Sequence, residues 1–259
     1  MHPIFLRIGP ITIYGYGIMI ALGIITGLFL ARRQARREGI DPDKIIDISF
    51  YLLITALIGA RLLFVLMNFK EYVADPLAIL KIWEGGLVFY GGLVPAVAMG
   101  IWYIKRFGLP LWQVADIFAP SLAIGHAMGR IGCFFAGCCY GGVCDLPWAV
   151  TFTDPRSLAP QGVPLHPTQL YSSLGLFALF AFLILLRKKK TFPGELFWTY
   201  ILCYAGGRFL LEFLRGDLRG GFLGGVLSPA QVIGIPLAGI SVVMLLYLRK
   251  RGVKKHGRR

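Results

Sequence analysis

The chain has 259 residues, 56% apolar and only 15% charged, against ~25% charged in ordinary soluble domains. A mean hydropathy of +0.68 excludes a disordered chain and argues against a single soluble domain. Lys and Arg number 27 against 13 Asp and Glu, a formal net charge of +14. The placement of those cations decides whether they serve nucleic acid, lipid or topology.

Met1 to Pro10 reads as a short outer leader carrying one cation, Arg7. A cleavable signal peptide is not expected, because the dense positive flank follows the first apolar run instead of preceding it. Seven apolar stretches come next, at 11–31, 45–67, 86–104, 112–134, 168–186, 194–213 and 229–248. Each approaches the ~20 residues needed to cross ~30 Å of hydrocarbon. The fold class expected is therefore an all-α polytopic membrane protein, one transmembrane domain over 1–259 with seven spans. Helices satisfy every backbone group within the segment, and the alternating segments of a membrane barrel are absent.

Two longer connections interrupt the spans. Residues 68–85 (NFKEYVADPLAILKIWEG) suit an outer connection with an amphipathic segment lying on the interface. Residues 136–167, rich in Gly and Pro, suit a small outer head. Cations cluster after the first span (Arg32, Arg33, Arg36, Arg37, Lys44), the third (Lys105, Arg106), the fifth (Arg187 to Lys190) and in the tail from Arg249. Eighteen of the 27 thus fall on one side of a seven-span chain. The positive-inside rule makes that side cytoplasmic, with the N-terminus outside and the C-terminus inside. The tail is then a contact for anionic membrane lipid and not for nucleic acid.

Arg61, Arg130 and Arg208 remain inside apolar spans. A central arginine costs ~2.5–3.5 kcal/mol on insertion scales, so each should face the bundle interior with a partner. Structural pairing, such as Arg208 with Glu212 one turn on, explains any one of them. Three together point to an anion-binding cavity. Tyr204, Arg208 and Glu212 share a helical stripe, with Arg215 on a nearby face and Gly206 and Gly207 removing bulk beside Arg208. Arg130 stands among Gly125, Gly129, Gly132 and Gly137, where a planar fork can reach a phosphate with two hydrogen bonds.

Four of the five cysteines cluster at Cys133, Cys138, Cys139 and Cys144. C-x4-CC-x4-C is not a usual zinc-ligand spacing, and no C-x-x-C redox motif occurs. Thiols packed between helices are the expectation, with a disulfide among the outer ones left open and no metal assigned. His126 reads as a hydrogen-bonded bundle residue. His166, just before Thr168 as a helix cap, is a candidate for positioning a headgroup.

The stretch GHAMGRIGCFFAGCCYGG (125–142) resembles the diagnostic segment of the bacterial prolipoprotein diacylglyceryl transferases. IYGYGIM around Tyr14, GARLLFVL around Arg61, WEGGLVFYGG, LHPTQLY and YAGGRFLLEFLR are similar to further family segments, in the family's order. The resemblance implies a cytoplasmic-membrane enzyme using no metal or organic cofactor. It would transfer the diacylglyceryl unit of phosphatidylglycerol to the lipobox cysteine of a preprolipoprotein, releasing glycerol phosphate. It further implies catalytic roles for Arg130, Arg208 and Tyr90. Substrate contacts would involve Arg130, Arg208, Tyr14, Arg61, Gly91, Gly92, Cys133, His166, Gln169, Tyr204 and Glu212. The chain departs from the family pattern where Tyr90 replaces a histidine, and where Cys133, Ala136 and Cys138 replace Asn, Asn and Glu. The competing readings are a transporter of an anionic solute and a lipid-binding membrane protein without turnover.

Overall fold

A computed structural model describes residues 3–9, 11–216 and 227–256. The chain opens on an antiparallel hairpin, β1 (Ile4–Ile8) and β2 (Ile11–Tyr14), where a leader and the start of a span were expected. The alternating, β-branched run Ile11-Thr12-Ile13 suits a strand. Among the described residues eight α-helices follow: α1 (Gly15–Arg37), α2 (Pro42–Met67), α3 (Phe69–Ala74), α4 (Phe89–Arg106), α5 (Leu111–Ala136), α6 (Thr168–Arg187), α7 (Glu195–Glu212) and α8 (Pro229–His256). All but α3 have 18 residues or more, and they coincide with the seven expected stretches to within a few residues. The exceptions are α1, which starts four residues later than expected and runs six further, through Arg37, and the far end of α8, which runs on into the basic tail.

Among the described residues four helices, α1, α2, α6 and the Pro229–Gly252 part of α8, are long and apolar enough to cross a membrane. Only 17–28% of their most apolar windows is buried inside the protein. Large side chains such as Phe50, Ile58, Leu66 and Val243 stay exposed, which suits helices solvated by lipid. By contrast α5 and α7 carry Arg130, Arg208 and Glu212 within their apolar runs. Elsewhere the 68–85 connection forms α3 and two short 3-10 turns, Pro76–Leu80 and Ile82–Glu84.

The chain forms two compact units, Ala31–Val114 and the remainder. In the smaller unit, Asp41 starts α2 by accepting the Asp43 N–H at 3.0 Å, with Pro42 in the first turn. α2 and α4 meet backbone to backbone. A Cβ on Gly91 would sit 2.7 Å from the Gly59 carbonyl oxygen, and one on Gly92 2.7 Å from that of Ala56.

In the larger unit, α5, α6 and α7 share a core. Ala119, Ala123 and Ala127 form a small-residue stripe that receives Leu176, Leu179 and Leu183 of α6 and Leu196 and Tyr200 of α7. The Ser173 hydroxyl donates across it to the Ala127 carbonyl at 3.0 Å. Gly23 and Gly27 of α1, spaced by four, lie against the carbonyls of Gly125 and Ser121, the close approach that small-xxx-small patterns permit. Asp116, fully buried on α5, caps α7 from outside. Its carboxylate accepts the N–H groups of Gly194 (2.7 Å) and Phe197 (2.9 Å), and Lys190 Nζ lies 3.1 Å away.

The loop from α5 to α6 is ordered around its own small core of Phe134, Phe152, Ala159 and Leu165. β3 (Val150–Thr151) pairs with β4 (Pro164–Leu165). Asp154, almost wholly buried, accepts from the Arg156 backbone N–H, Nε and Nη2.

Candidate active site

Arg130 of α5 and Tyr204 and Arg208 of α7 line one cavity of about 130 Å³, completed by Ser172, Leu176 and Leu179 of α6 and by Gly207 and Leu211. One wall is therefore leucine-rich and the other cationic. Arg208 pairs with Glu212 at 2.5 Å, and Arg215 Nε stands 4.0 Å from the same carboxylate oxygen. The side chains of Arg208, Glu212 and Arg215 are only 14%, 9% and 6% exposed. Arg130 lies within electrostatic reach of Tyr204 and Arg215. Among the described residues two guanidiniums face the Glu212 carboxylate and Arg130 adds a third nearby, a surplus of positive charge in a place where water screens poorly. Tyr204 is held by its neighbours, its ring stacked on Tyr200 at 6.1 Å and tilted against His126 at 4.9 Å. Such a site can grip an anion through planar forks while apolar chains lie on the leucines.

The cysteine cluster is built by the way α5 ends. Gly137 adopts φ +73°, its N–H bonding Phe134 O at 3.2 Å while the Cys138 N–H bonds Cys133 O at 3.1 Å. This pair of bonds is a Schellman motif, which folds the second residue after the cap back onto the last turn. Cys138 therefore lands on Cys133 despite four intervening residues. Cys139, a non-glycine residue at φ +62°, turns the chain again, so the Sγ atoms of Cys133, Cys138 and Cys139 lie within 4.8 Å of one another. Thr168 Oγ1 and Gln169 Nε2 fasten the turn, donating to Cys139 O and Cys138 O, each at 2.8 Å. The Cys139 thiol is drawn well below the usual cysteine range, because the Cys133 and Cys138 thiols hydrogen-bond to its sulfur and the Arg215 guanidinium faces it.

The structure brings Arg130, Tyr204, Arg208, Glu212 and Cys133 into one neighbourhood. It also places there Ser172 in the cavity wall and Tyr16 beside the thiols, which the sequence did not single out, and turns Arg215, expected near Glu212, onto the thiols as well. Gln169 is 1% exposed and holds the loop backbone. His166 is half-buried, its Nδ1 3.5 Å from the Tyr171 hydroxyl. Tyr14 is exposed at the end of β2, in electrostatic reach of Arg156.

Three expectations change in the smaller unit. Arg61 is 6% exposed and all five of its N–H donors are engaged. Nε bonds Ile79 O, Nη1 bonds Gly85 O and Gly86 O, and Nη2 bonds Ala78 O and Lys81 O, at 2.6–3.3 Å. It has no donor left for a phosphate; it clamps the 76–86 segment onto α2. Gly91 and Gly92 are buried against α2, and this close helix packing accounts for their lack of side chains. Tyr90, one position away, is 47% exposed with its ring against Phe89.

Apolar helices around a cationic, leucine-lined cavity define an integral-membrane protein. The profile described as prolipoprotein diacylglyceryl transferase matches residues 3–247, and the chain belongs to that family. A phosphatidylglycerol–prolipoprotein diacylglyceryl transferase of Bacillus cereus (strain 03BB102) is 39% identical over 250 residues, covering 95% of this chain and 92% of the relative. One from Clostridium tetani is 36% identical over 253 residues, 97% and 100% of the two chains.

Proposed function

We propose that this membrane enzyme transfers the diacylglyceryl group of phosphatidylglycerol to the lipobox cysteine thiol of a preprolipoprotein. The sulfur attacks the glycerol carbon, the carbon–oxygen bond to phosphate breaks, glycerol phosphate leaves and a thioether forms. The observation that carries the reading is the convergence of Arg130 and Arg208 on one leucine-lined cavity, in a chain of this family. Negative charge grows on the departing phosphate oxygen. Preorganised guanidiniums stabilise that charge more than the diester they first bind, and this difference is what lowers the barrier.

Within this mechanism Arg130 and Arg208 are the phosphate-binding catalytic residues. Glu212 positions Arg208, and Tyr204 hydrogen-bonds the glycerol or an arginine. Tyr90 and Tyr14 orient lipid or thiol, and His166 orients the headgroup. Cys133 and Gln169 shape the floor beside Arg130. The enzyme sits in the cytoplasmic membrane with seven spans, its N-terminus outside, its C-terminus inside and the 136–167 head on the outer face. The curated relatives carry transferase names, and no observation favours a solute transporter.

The test incubates purified protein with phosphatidylglycerol and a lipobox peptide and seeks the mass of the diacylglyceryl thioether. Adduct is expected. Its absence, together with anion flux in liposomes, would replace the transferase with a transporter. A Tyr90→Phe enzyme is expected to keep partial turnover. Complete loss with lipid binding intact would assign Tyr90 the proton abstraction instead.

A further inference from the structure

The thiols of Cys133, Cys138 and Cys139 are arranged more closely than packing requires. Their sulfurs lie within 4.8 Å of one another. Zinc–sulfur bonds of about 2.3 Å place the sulfurs of a tetrahedral site roughly 3.8 Å apart, so a contraction of about 1 Å closes the triangle. The triangle is also held in advance. The Schellman turn sets Cys138 on Cys133, and hydrogen bonds from Thr168 and Gln169 fix the carbonyls of Cys139 and Cys138. Among the described residues no fourth His, Cys, Asp or Glu ligand joins this group. Three protein ligands and an open position characterise reactive zinc sites, whereas structural sites close all four.

Charge supports the same assignment. Arg215 hydrogen-bonds the Cys139 sulfur, and Arg130 lies within electrostatic reach of Cys133 and Cys139. Zinc with three thiolates carries one negative charge, and with a fourth thiolate two, which these two guanidiniums balance. Cys133 follows Arg130 by three positions on α5, a rise of about 4.5 Å. The two residues therefore lie on the same face of α5.

We propose that Cys133, Cys138 and Cys139 bind one Zn²⁺ through three thiolates and that its fourth position receives the thiol of the incoming lipobox cysteine. The second half rests on the transferase reading above. On binding, the substrate sulfur gives up its proton to water. Its electron pair then forms the bond to the glycerol carbon, and the carbon–oxygen pair departs on the phosphate beside Arg130 and Arg208. No electrons pass to or from the metal.

Reduced, chelator-treated full-length protein in detergent is titrated with Co²⁺ as a spectroscopic stand-in. One equivalent should bind with an intense near-ultraviolet sulfur-to-cobalt band, and Zn²⁺ should displace it. A lipobox peptide should shift the visible bands, and the same peptide with serine for cysteine should not. Cys138→Ser should weaken metal binding by roughly 100-fold or more, with Cys139→Ala as a second variant and helical content checked by circular dichroism. Failure to take up Co²⁺ or Zn²⁺, or a disulfide among the trio as the resident state in freshly isolated membranes, overturns the site. Cobalt bands indifferent to the cysteine peptide overturn the substrate's part in it. Thioether formation at an undiminished rate by metal-stripped protein removes zinc from the reaction and keeps the transferase. No thioether from zinc-loaded protein removes the transferase, while the cobalt spectrum still judges the metal site.

Discussion

Glu212 is the residue whose replacement tests the arginine site most sharply. Its carboxylate lies 2.5 Å from Arg208 and 4.0 Å from Arg215, and all three side chains are nearly buried. Glu212→Gln keeps the shape and removes the charge. Arg208 is then left facing Arg130 and Arg215 without compensation. Breaking a buried pair by neutralising one partner costs about 3–5 kcal/mol, so the melting temperature in detergent should drop clearly. Lipid affinity should move the other way. A carboxylate about 8 Å from a bound phosphate, at an effective dielectric of about 20, repels it by about 2 kcal/mol. Removing it should tighten phosphatidylglycerol binding roughly 30-fold, within a factor of a few. Turnover should still fall, because Arg208 loses the partner that aims it at the departing oxygen. The assay is a thermal melt read by tryptophan fluorescence, combined with thioether kinetics at varied lipid. A lower KM with a lower kcat is expected. Unchanged melting and unchanged KM would refute the positioning role, and a raised KM would make Glu212 a direct glycerol ligand.

Arg130→Lys, which keeps charge but loses the fork, should lower kcat by about 10²-fold, comparable to removing one transition-state donor; full activity would remove Arg130 from the phosphate site. Arg61→Lys leaves three donors for five carbonyls, a loss of up to about 3–6 kcal/mol at ~1.5–3 kcal/mol per charge-assisted bond. Hydrogen exchange should then accelerate across residues 76–86, and retained protection there would contradict the clamp. Gly91→Ala pushes a methyl into Gly59 and Leu63, and overpacking of this kind costs about 1–3 kcal/mol; an unchanged melt would show that α2 and α4 are not in backbone contact. Asp116→Asn should destabilise the protein by about 3 kcal/mol through loss of the α7 cap and the Lys190 pair. Adding Lys190→Met should restore part of that loss, and strict additivity in denaturation would refute the coupling.

The long helices were legible because each is a run of apolar residues of membrane length, a signal that survives the polar interruptions at His126, Arg130 and Arg208. Tyr204, Arg208 and Glu212 were legible for a related reason: a spacing of four is already a face on a helix. Arg61 was not, since hydropathy shows a cation in a span without showing that residues 76–86 return their carbonyls to it. Gly91 and Gly92 looked like part of a ligand motif. Only the three-dimensional contact with Gly59 and Ala56 shows them as a helix crossing. The thiol trio was hidden by its spacing, because four residues separate Cys133 from Cys138 along an extended chain but a capping turn brings them together. Asp116 gave no local signal at all, as the N–H groups it caps lie some eighty residues further along.

The loop that follows the thiol trio straps the start of α6 to the end of α7 through Gly141 and Gly142. Gly141 and Gly142 exchange backbone hydrogen bonds with His166 at the start of α6, and Gly142 also bonds Leu214 just past the end of α7. A Cβ on Gly141 would sit 2.7 Å from the Leu214 carbonyl, so the chain threads a gap with no slack. At the opposite end, the short turn between α6 and α7 is tied down by Asp116. The two helices are thus sewn together at both ends like the rails of a ladder, and the wall they give the cavity has a fixed width. On the proposed reading the acyl chains lie against Leu176, Leu179 and Leu211 of this wall. Resizing any of them should alter chain preference directly, with no give in the scaffold to absorb the change.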